Sequence, residues 1–426
     1  MKGSPVTHWQ PELEAMDRER LERLVLERMR ATVTRVSASP TYARRLGGVG
    51  ADDLKRLEDW RRLPFLTKEE LRDAYPYGLA CGSGYRRIHM SSGTTGNPIL
   101  NPYTAADVEQ WAEVMARCLV VAGVTAADVL QITPSFGLFT GGFGFHYGAE
   151  RLGAMIVPIG AGRTLLQLKL MRDLRATVLA AIATYPLRLI EVARDEGFDL
   201  RSLALRVGIL GSEMWSDELR DRIERELGIA TFDIIGMTET GGPGLGIDCP
   251  ARAGIHVWED HYHVEVIDPT TGALVEDGRE GELVVSTLTR EGLPLVRYRT
   301  HDLTRVVARQ ACACGRTMLR IDRLRGRTDD MVIFKGVNFY PRQIEQVLLR
   351  QPGLSHEYQI VLDSEGGERM TVHVETEPGC DGAVAARVTR ELRDLISLSP
   401  EVRLCRWGEI ERPQGKAVRV IDRRRR

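Results

Sequence analysis

Residues 90–99 read MSSGTTGNPI, a run of hydroxyls and glycines with no cation. Gly93 and Gly96 expose backbone N–H groups, and Ser91, Ser92, Thr94 and Thr95 add hydroxyls; such a nest can wrap phosphate oxygens without a point charge. The loop lacks the GxxxxGK[ST] spacing of a nucleotide P-loop, and read alone it is equally an ordinary surface turn. Four more stretches follow in order: DIIGMTETGGPG (233–244), RYRTHDL (297–303), GRTDDMVIFKGVNFYPRQIE (326–345) and RPQGKAVRVIDRR (412–424). They carry Glu239, Asp302, Arg327 and Lys416, respectively an acid in a Gly- and Thr-rich loop, an acid following Thr and His, an Arg after a glycine, and a lysine after one. The chain has lysine only at 2, 55, 68, 169, 335 and 416, so a lysine in a glycine-bearing motif stands out. Cys249, His256, Cys312 and Cys314 form a second constellation, whose three thiolates and one imidazole suit a closed tetrahedral zinc site.

These groups need a scaffold, and 426 residues are too many for one core. Apolar content of 43% and charged content of 27% are those of a folded globular chain. A net charge of −1 leaves no surplus for a polyanion, so nucleic acid is not an expected partner. The first twenty residues lack an apolar secretory core and no run of about 18 apolar residues occurs, so the expected setting is cytoplasmic with no membrane. There the seven cysteines should be reduced, and Cys81, Cys118, Cys380 and Cys405 read as packing residues.

From about residue 105 helical and strand patterns alternate: ADVEQWAEVMARCLVVAG, DVLQITPS, GGFGFHYGAERLG, AMIVPIG and onward to ATFDIIGMTE. That alternation predicts a mostly parallel sheet with ligand loops at the strand ends. After 255 the period becomes two, with turn clusters, which predicts an antiparallel module. The stretch from 327 onward reads as a small α+β unit. The expected architecture is therefore α/β: a large N-terminal domain (1–326) with mostly parallel sheets and an antiparallel module, plus a small, mobile α+β C-terminal domain (327–426).

Taken together, the five motifs resemble the adenylate-forming superfamily, and within it the phenylacetate-CoA ligase family; RIHMSSGTTG, GLFTGGFGFHYGAERLGA, HVWEDHYHVEVIDP and VRYRTHDLTRV carry the closer likeness. The resemblance spans almost the whole chain. It implies that a carboxylate attacks the α-phosphate of ATP to give an acyl-adenylate and pyrophosphate, and that coenzyme A then takes the acyl group as a thioester. It assigns loop 91–96, with Thr95, to the pyrophosphate and Glu239 to Mg²⁺. Asp302 falls to the ribose hydroxyls, Ser212 and Glu213 of LGSEMW to adenine, and Arg327 to a nucleotide contact. Lys416 is implied to bridge the carboxylate and α-phosphate, Asp329 to be the hinge between the two half-reactions, and Gly336 to let the pantetheine chain pass. The same resemblance strengthens the zinc reading, as a structural site without a part in the chemistry.

The acyl pocket is expected between residues 134–145, 184–187, 211–215 and 235–243, lined by Phe136, Phe139, Phe143, Tyr185, Gly211, Ile235 and Gly236. Aromatic walls suit a flat aryl acid, although each of these residues is also an ordinary core residue. Two departures bear on the substrate: Asn97 stands where members of the family often have lysine, and Ile235 where an aromatic residue usually precedes the acidic motif. They point away from phenylacetate itself, toward a hydroxylated or amino benzoate. Two alternatives stay open: transfer of the aryl group to a carrier protein, amine or hydroxyl, and an inactive nucleotide-binding homologue. A homodimer is also admitted.

Overall fold

The computed structural model describes residues 8–91, 97–330, 332–364, 368–411 and 418–424. Ser92, Gly93, Thr94, Thr95, Gly96 and Lys416 lie outside the described residues, as does the side chain of Asn338. The chain divides into two compact units: one runs to Met214 and resumes over Ile223–Leu324, and the other joins Trp215–Arg222 to Arg325 onward. The short segment 215–222 is a difference from the expected simple division, since it groups with the C-terminal unit.

The larger unit is built on a nine-stranded sheet. Met155–Val157, Val129–Ile132, Val178–Ile182, Val207–Gly211 and Ala230–Met237 lie parallel and adjacent in that order. Their runs of Val, Ile, Leu and Ala are buried, as strands covered by helices require. The expected antiparallel module is divided in two. Gly242–Asp248, Ile255–Val257, Arg320–Ile321 and Val306–Ala308 extend the parallel sheet in antiparallel fashion. Tyr262–Ile267, Gly281–Thr287 and Tyr298–Thr304 instead pair as a meander of their own. Period-two patterning identifies such strands but does not say which sheet they join.

Two helices on this sheet show how residue size sets spacing. Ala105–Val121 starts at Thr104, whose hydroxyl accepts from the Asp107 N–H while the Asp107 carboxylate accepts from the Thr104 N–H. It packs against Gly141–Leu152 through Gly144 and Gly148, where an added Cβ would lie 2.6 Å from Pro243 and 2.6 Å from Met115. Only glycine allows that approach, which explains the GGFGFHYG composition. Arg18–Ser37 is capped by Asp17 and buries Leu21, Val25, Met29, Val33 and Val36 along one stripe.

The smaller unit has its own core around Phe334, Phe339, Ile344, Ile360, Val372 and Leu392. Leu354–Asp363 and Arg369–Thr376 pair antiparallel, and each gains a parallel partner, Val420–Asp422 and Glu401–Cys405 respectively. Helices Pro341–Arg350 and Val384–Ile396 cover this sheet, the second burying Val384, Val388, Leu392 and Ile396 at four-residue spacing. Among the described residues no helix is long and apolar enough to cross a membrane.

Candidate active site

The candidate residues of the larger unit gather beyond the carboxyl ends of the parallel strands, where open α/β sheets hold ligands. Ile132 leads into 133–140, Ile182 into Thr184 and Tyr185, Gly211 into Ser212 and Glu213, and Met237 into Thr238–Thr240. Ser212 is held at φ +67°, a left-handed conformation that turns the chain sharply at the strand end. The Thr184 hydroxyl donates to the Glu213 carboxylate at 2.8 Å, fastening two of these loops together.

The phosphate-loop candidate is flanked by two antiparallel strands, Arg87–Met90 and Leu100–Tyr103. Its base is closed by Ser91 and Ile99: the Ser91 N–H donates to the Ile99 carbonyl, and the Ile99 N–H to the Ser91 hydroxyl, both at 3.0 Å. The Met90 N–H donates to Leu138 O at 2.9 Å, which ties the same strand pair to the loop carrying Phe136 and Phe139.

Glu239 is buried, with 5% exposure. The Tyr298 hydroxyl lies 3.5 Å from Oε1, and Lys68 Nζ is 4.0 Å from the same oxygen. Asp302 is also buried and lies on the strand Tyr298–Thr304, so one strand reaches Glu239 at its start and carries Asp302 near its end. The Asp302 N–H donates to the Thr300 hydroxyl at 3.0 Å. The strand that meets Glu239 through Tyr298 therefore carries Asp302 four residues further on.

The expected pocket residues divide. Phe136 and Phe143 meet edge to face with centroids 5.2 Å apart. Phe143 also faces His89 at 5.4 Å and lies under the Arg87 guanidinium at 4.7 Å. Phe139 sits at the loop tip with 44% exposure. The Tyr185 hydroxyl donates to Thr164 at 3.3 Å, and Ile235 is buried in the core. Gly211 and Gly236 serve close packing: a Cβ at either would lie within 2.3 Å of a neighbouring carbonyl oxygen, that of Ile234 or of Gly242.

His89 and Arg87 both lie within RIHMSSGTTG, yet their residue types alone assign them no role. His89 is 1% exposed, its Nδ1 is 3.3 Å from Leu138 O, and its ring packs against Tyr103 and Trp111. Burial pushes its pKa down to about 4, so the imidazole is neutral near pH 7. Lys68, Asn101 and Arg290 belong to no motif and Tyr298 lies inside RYRTHDL without marking itself out; each contributes only through long-range contact.

In the smaller unit Arg327 and Asp329 form a two-pronged ion pair, with Nε–Oδ1 at 2.8 Å and Nη2–Oδ2 at 2.9 Å. Lys335 and Gly336 make the two-residue turn between Val332–Phe334 and Val337–Phe339. Both have positive φ, 49° and 77°, as such a hairpin turn demands. A Cβ at Gly336 would meet nothing within 4 Å, so the turn leaves that backbone open to approach.

The four candidate zinc ligands also come together. The donor atoms of Cys249, His256, Cys312 and Cys314 all lie within 4.8 Å of one another, and all four residues are buried. Cys249 Sγ and Cys312 Sγ are 3.7 Å apart, and Cys314 Sγ is 3.4 Å from His256 Nε2. A tetrahedral zinc ion with Zn–S of about 2.3 Å and Zn–N of about 2.0 Å separates such donors by about 3.8 and 3.6 Å. A tight turn, with the Gly315 N–H donating to Cys312 O at 2.8 Å, sets the two loop cysteines. Buried Arg316 beside them pairs with buried Glu14 at 2.7 Å, anchoring the loop to the N-terminal segment.

Comparison with known proteins accords with this geometry. The AMP-binding enzyme family model matches residues 88–289, and that of the AMP-binding enzyme C-terminal domain matches 336–424. Phenylacetate-coenzyme A ligase of Pseudomonas putida is 41% identical over 94% of this chain and 93% of its own. The enzyme of the same name from Escherichia coli K12 is 39% identical over 97% of each. Among solved structures, 2-hydroxyisobutyryl-CoA ligase in the postadenylation state with 2-HIB-AMP superposes with a TM-score of 0.92. That match has 27% identity and covers 100% of this chain and 94% of the other. The chain belongs to the phenylacetate-CoA ligase family of adenylate-forming enzymes, as an AMP-forming acid–thiol ligase.

Proposed function

We propose that the chain activates an aryl carboxylic acid, phenylacetate- or benzoate-like, and passes it to coenzyme A in the cytoplasm. The observation that carries this reading is that two elements meet at the Glu239 turn: the hairpin of Ser91, by way of Asn101, and the strand of Asp302, by way of Tyr298. In the first step a carboxylate oxygen bonds to the α-phosphorus of ATP and the bond to pyrophosphate breaks. Two anions must meet, so the work is positioning and charge neutralisation. Loop 91–96 takes the leaving pyrophosphate, Asp302 the ribose hydroxyls, and Ser212 and Glu213 flank adenine. Lys416 faces the carboxylate and α-phosphate. Glu239 holds Mg²⁺, which supplies a Lewis acid for the phosphate oxygens, and its buried carboxylate fits that ion.

In the second step the thiol sulfur bonds to the acyl carbon and AMP leaves. Asp329 is the hinge of the change between steps, with its Arg327 pair as the contact to be exchanged, and the open Gly336 turn gives the pantetheine chain passage. Cys249, His256, Cys312 and Cys314 hold structural zinc, supported by donor separations close to those of a tetrahedral ion.

The aryl ring lies against Phe136 and Phe143. The relatives' names favour phenylacetate, whereas Asn97 and Ile235 favour a hydroxylated or amino benzoate. ATP–pyrophosphate exchange across a panel of aryl acids decides between them: clear preference for phenylacetate removes the benzoate reading.

A further inference from the structure

A residue outside every motif joins the phosphate hairpin to the metal loop. Asn101 is fully buried on Leu100–Tyr103, directly opposite His89. Its Nδ2 donates to the backbone carbonyls of Thr238 at 2.6 Å and Glu239 at 3.2 Å. Its Oδ1 accepts from Arg290 Nη2 at 2.8 Å. Because a guanidinium only donates and a carbonyl only accepts, the amide has one orientation that satisfies both neighbours. Arg290 is 1% exposed and fixed in turn: Nη2 reaches Pro102 O at 3.4 Å, Nε is 3.7 Å from Asp107 Oδ1, and the guanidinium lies 4.1 Å over Tyr103. Gly241 belongs to the same arrangement, since a Cβ there would lie 3.3 Å from Arg290 Nη1.

The carbonyls that Asn101 holds are those of the tight turn presenting Glu239, where the Thr240 N–H donates to Met237 O at 3.1 Å. Octahedral Mg²⁺ tolerates little misplacement of a ligand, so the backbone beneath Glu239 has to be held as firmly as its carboxylate. We propose that Asn101, oriented by Arg290, is a positioning residue that couples the phosphate-binding hairpin to Glu239 and so sets the enzyme's affinity for magnesium with ATP. The proposal rests on the reading of Glu239 as the magnesium ligand.

The test is a Mg²⁺ titration of aryl-acid-dependent ATP–pyrophosphate exchange, paired with a calorimetric Mg²⁺ titration of ATP binding in the absence of acid, in Asn101→Ala, Asn101→Asp and Arg290→Lys, with Glu239→Gln as reference. Asn101→Asp keeps the volume but turns an anionic oxygen toward the two carbonyls. The half-saturating Mg²⁺ concentration is expected to rise by about tenfold or more in both Asn101 variants, as for lost outer-shell support of a metal. It should rise less in Arg290→Lys, with KM for the aryl acid held within about twofold in all three. A uniform fall in kcat at unchanged Mg²⁺ half-saturation overturns the coupling. Should the Asn101 variants not fold, an unchanged half-saturation in folded Arg290→Lys overturns it equally. If Glu239→Gln itself leaves the half-saturation untouched, the metal reading fails; if it shifts and the Asn101 variants do not, only the coupling fails.

Discussion

Lys68 places its ammonium 4.0 Å from Oε1 of Glu239. The lysine opens the helix Lys68–Asp73, whose start is fixed by a reciprocal cap between Thr67 and Glu70, so the side chain is aimed from a rigid base. With Asn97 rather than lysine in the loop, Lys68 is a compact cation already beside the carboxylate proposed to bind magnesium. Lys68→Met is expected to raise KM for MgATP on the order of tenfold, about 1.4 kcal/mol, with little change in KM for the aryl acid. Steady-state kinetics with each substrate varied in turn check this; an unchanged KM for MgATP makes Lys68 an ordinary surface lysine.

The role proposed for Lys416 predicts a difference between the two half-reactions. A preorganised cation facing charge that develops in the transition state is worth roughly 10²–10³ in rate. Lys416→Ala should lose at least that much in ATP–pyrophosphate exchange, while thioester formation from supplied aryl-AMP and coenzyme A persists. Equal loss in both halves contradicts a role confined to adenylation.

The cysteine–histidine cluster makes a prediction about composition. Metal analysis of the purified chain should find about one zinc per molecule, and Cys314→Ser should lower both the zinc content and the melting temperature. Below the new melting temperature, exchange by the folded fraction should continue, as the proposed structural role of the metal requires. A chain free of zinc that melts like the native protein contradicts the assignment.

Stability should also depend on pH in a defined window. His89 and His261 are each pushed down to about 4, in both cases chiefly by burial; for His261 this outweighs the attraction of Asp260, 3.3 Å away. Each is neutral when folded and titrates near 6.5 when unfolded, so below that value the unfolded chain binds more protons. The stabilisation is full above pH 6.5 and is lost as pH falls toward 4, by up to about 1.4 kcal/mol per pH unit for each histidine. Melting temperatures between pH 7 and 4.5 test this, and a flat profile contradicts it. Depressed carboxylates such as Glu357, at about 2, act mainly below that window.

What the sequence reveals depends on whether the physical signal is local. Helix Ala105–Val121, the buried parallel strands and the stripe of Arg18–Ser37 are local patterns and are readable. So are Glu239 and Asp302, each embedded in a short motif. The division of the antiparallel strands between two sheets is not local: Ile255–Val257 and Tyr262–Ile267 have similar patterns, and only long-range pairing separates them. Asn101 and Arg290 are hidden for the same reason, since they meet across 189 positions and Asn101 touches Glu239 across 138. Gly211 and Gly236 were expected as pocket lining, yet their immediate role is backbone packing, a matter of Ile234 and Gly242 in neighbouring strands.

The central claim is an aryl-adenylate followed by transfer to coenzyme A. Its most direct test is to incubate the chain with ATP, Mg²⁺ and an aryl acid, and to measure AMP and thioester with and without coenzyme A. The account predicts aryl-acid-dependent pyrophosphate release, with AMP turnover and aryl-CoA appearing in equal amounts once coenzyme A is added. AMP release indifferent to coenzyme A, or no adenylate with any aryl acid, would contradict it.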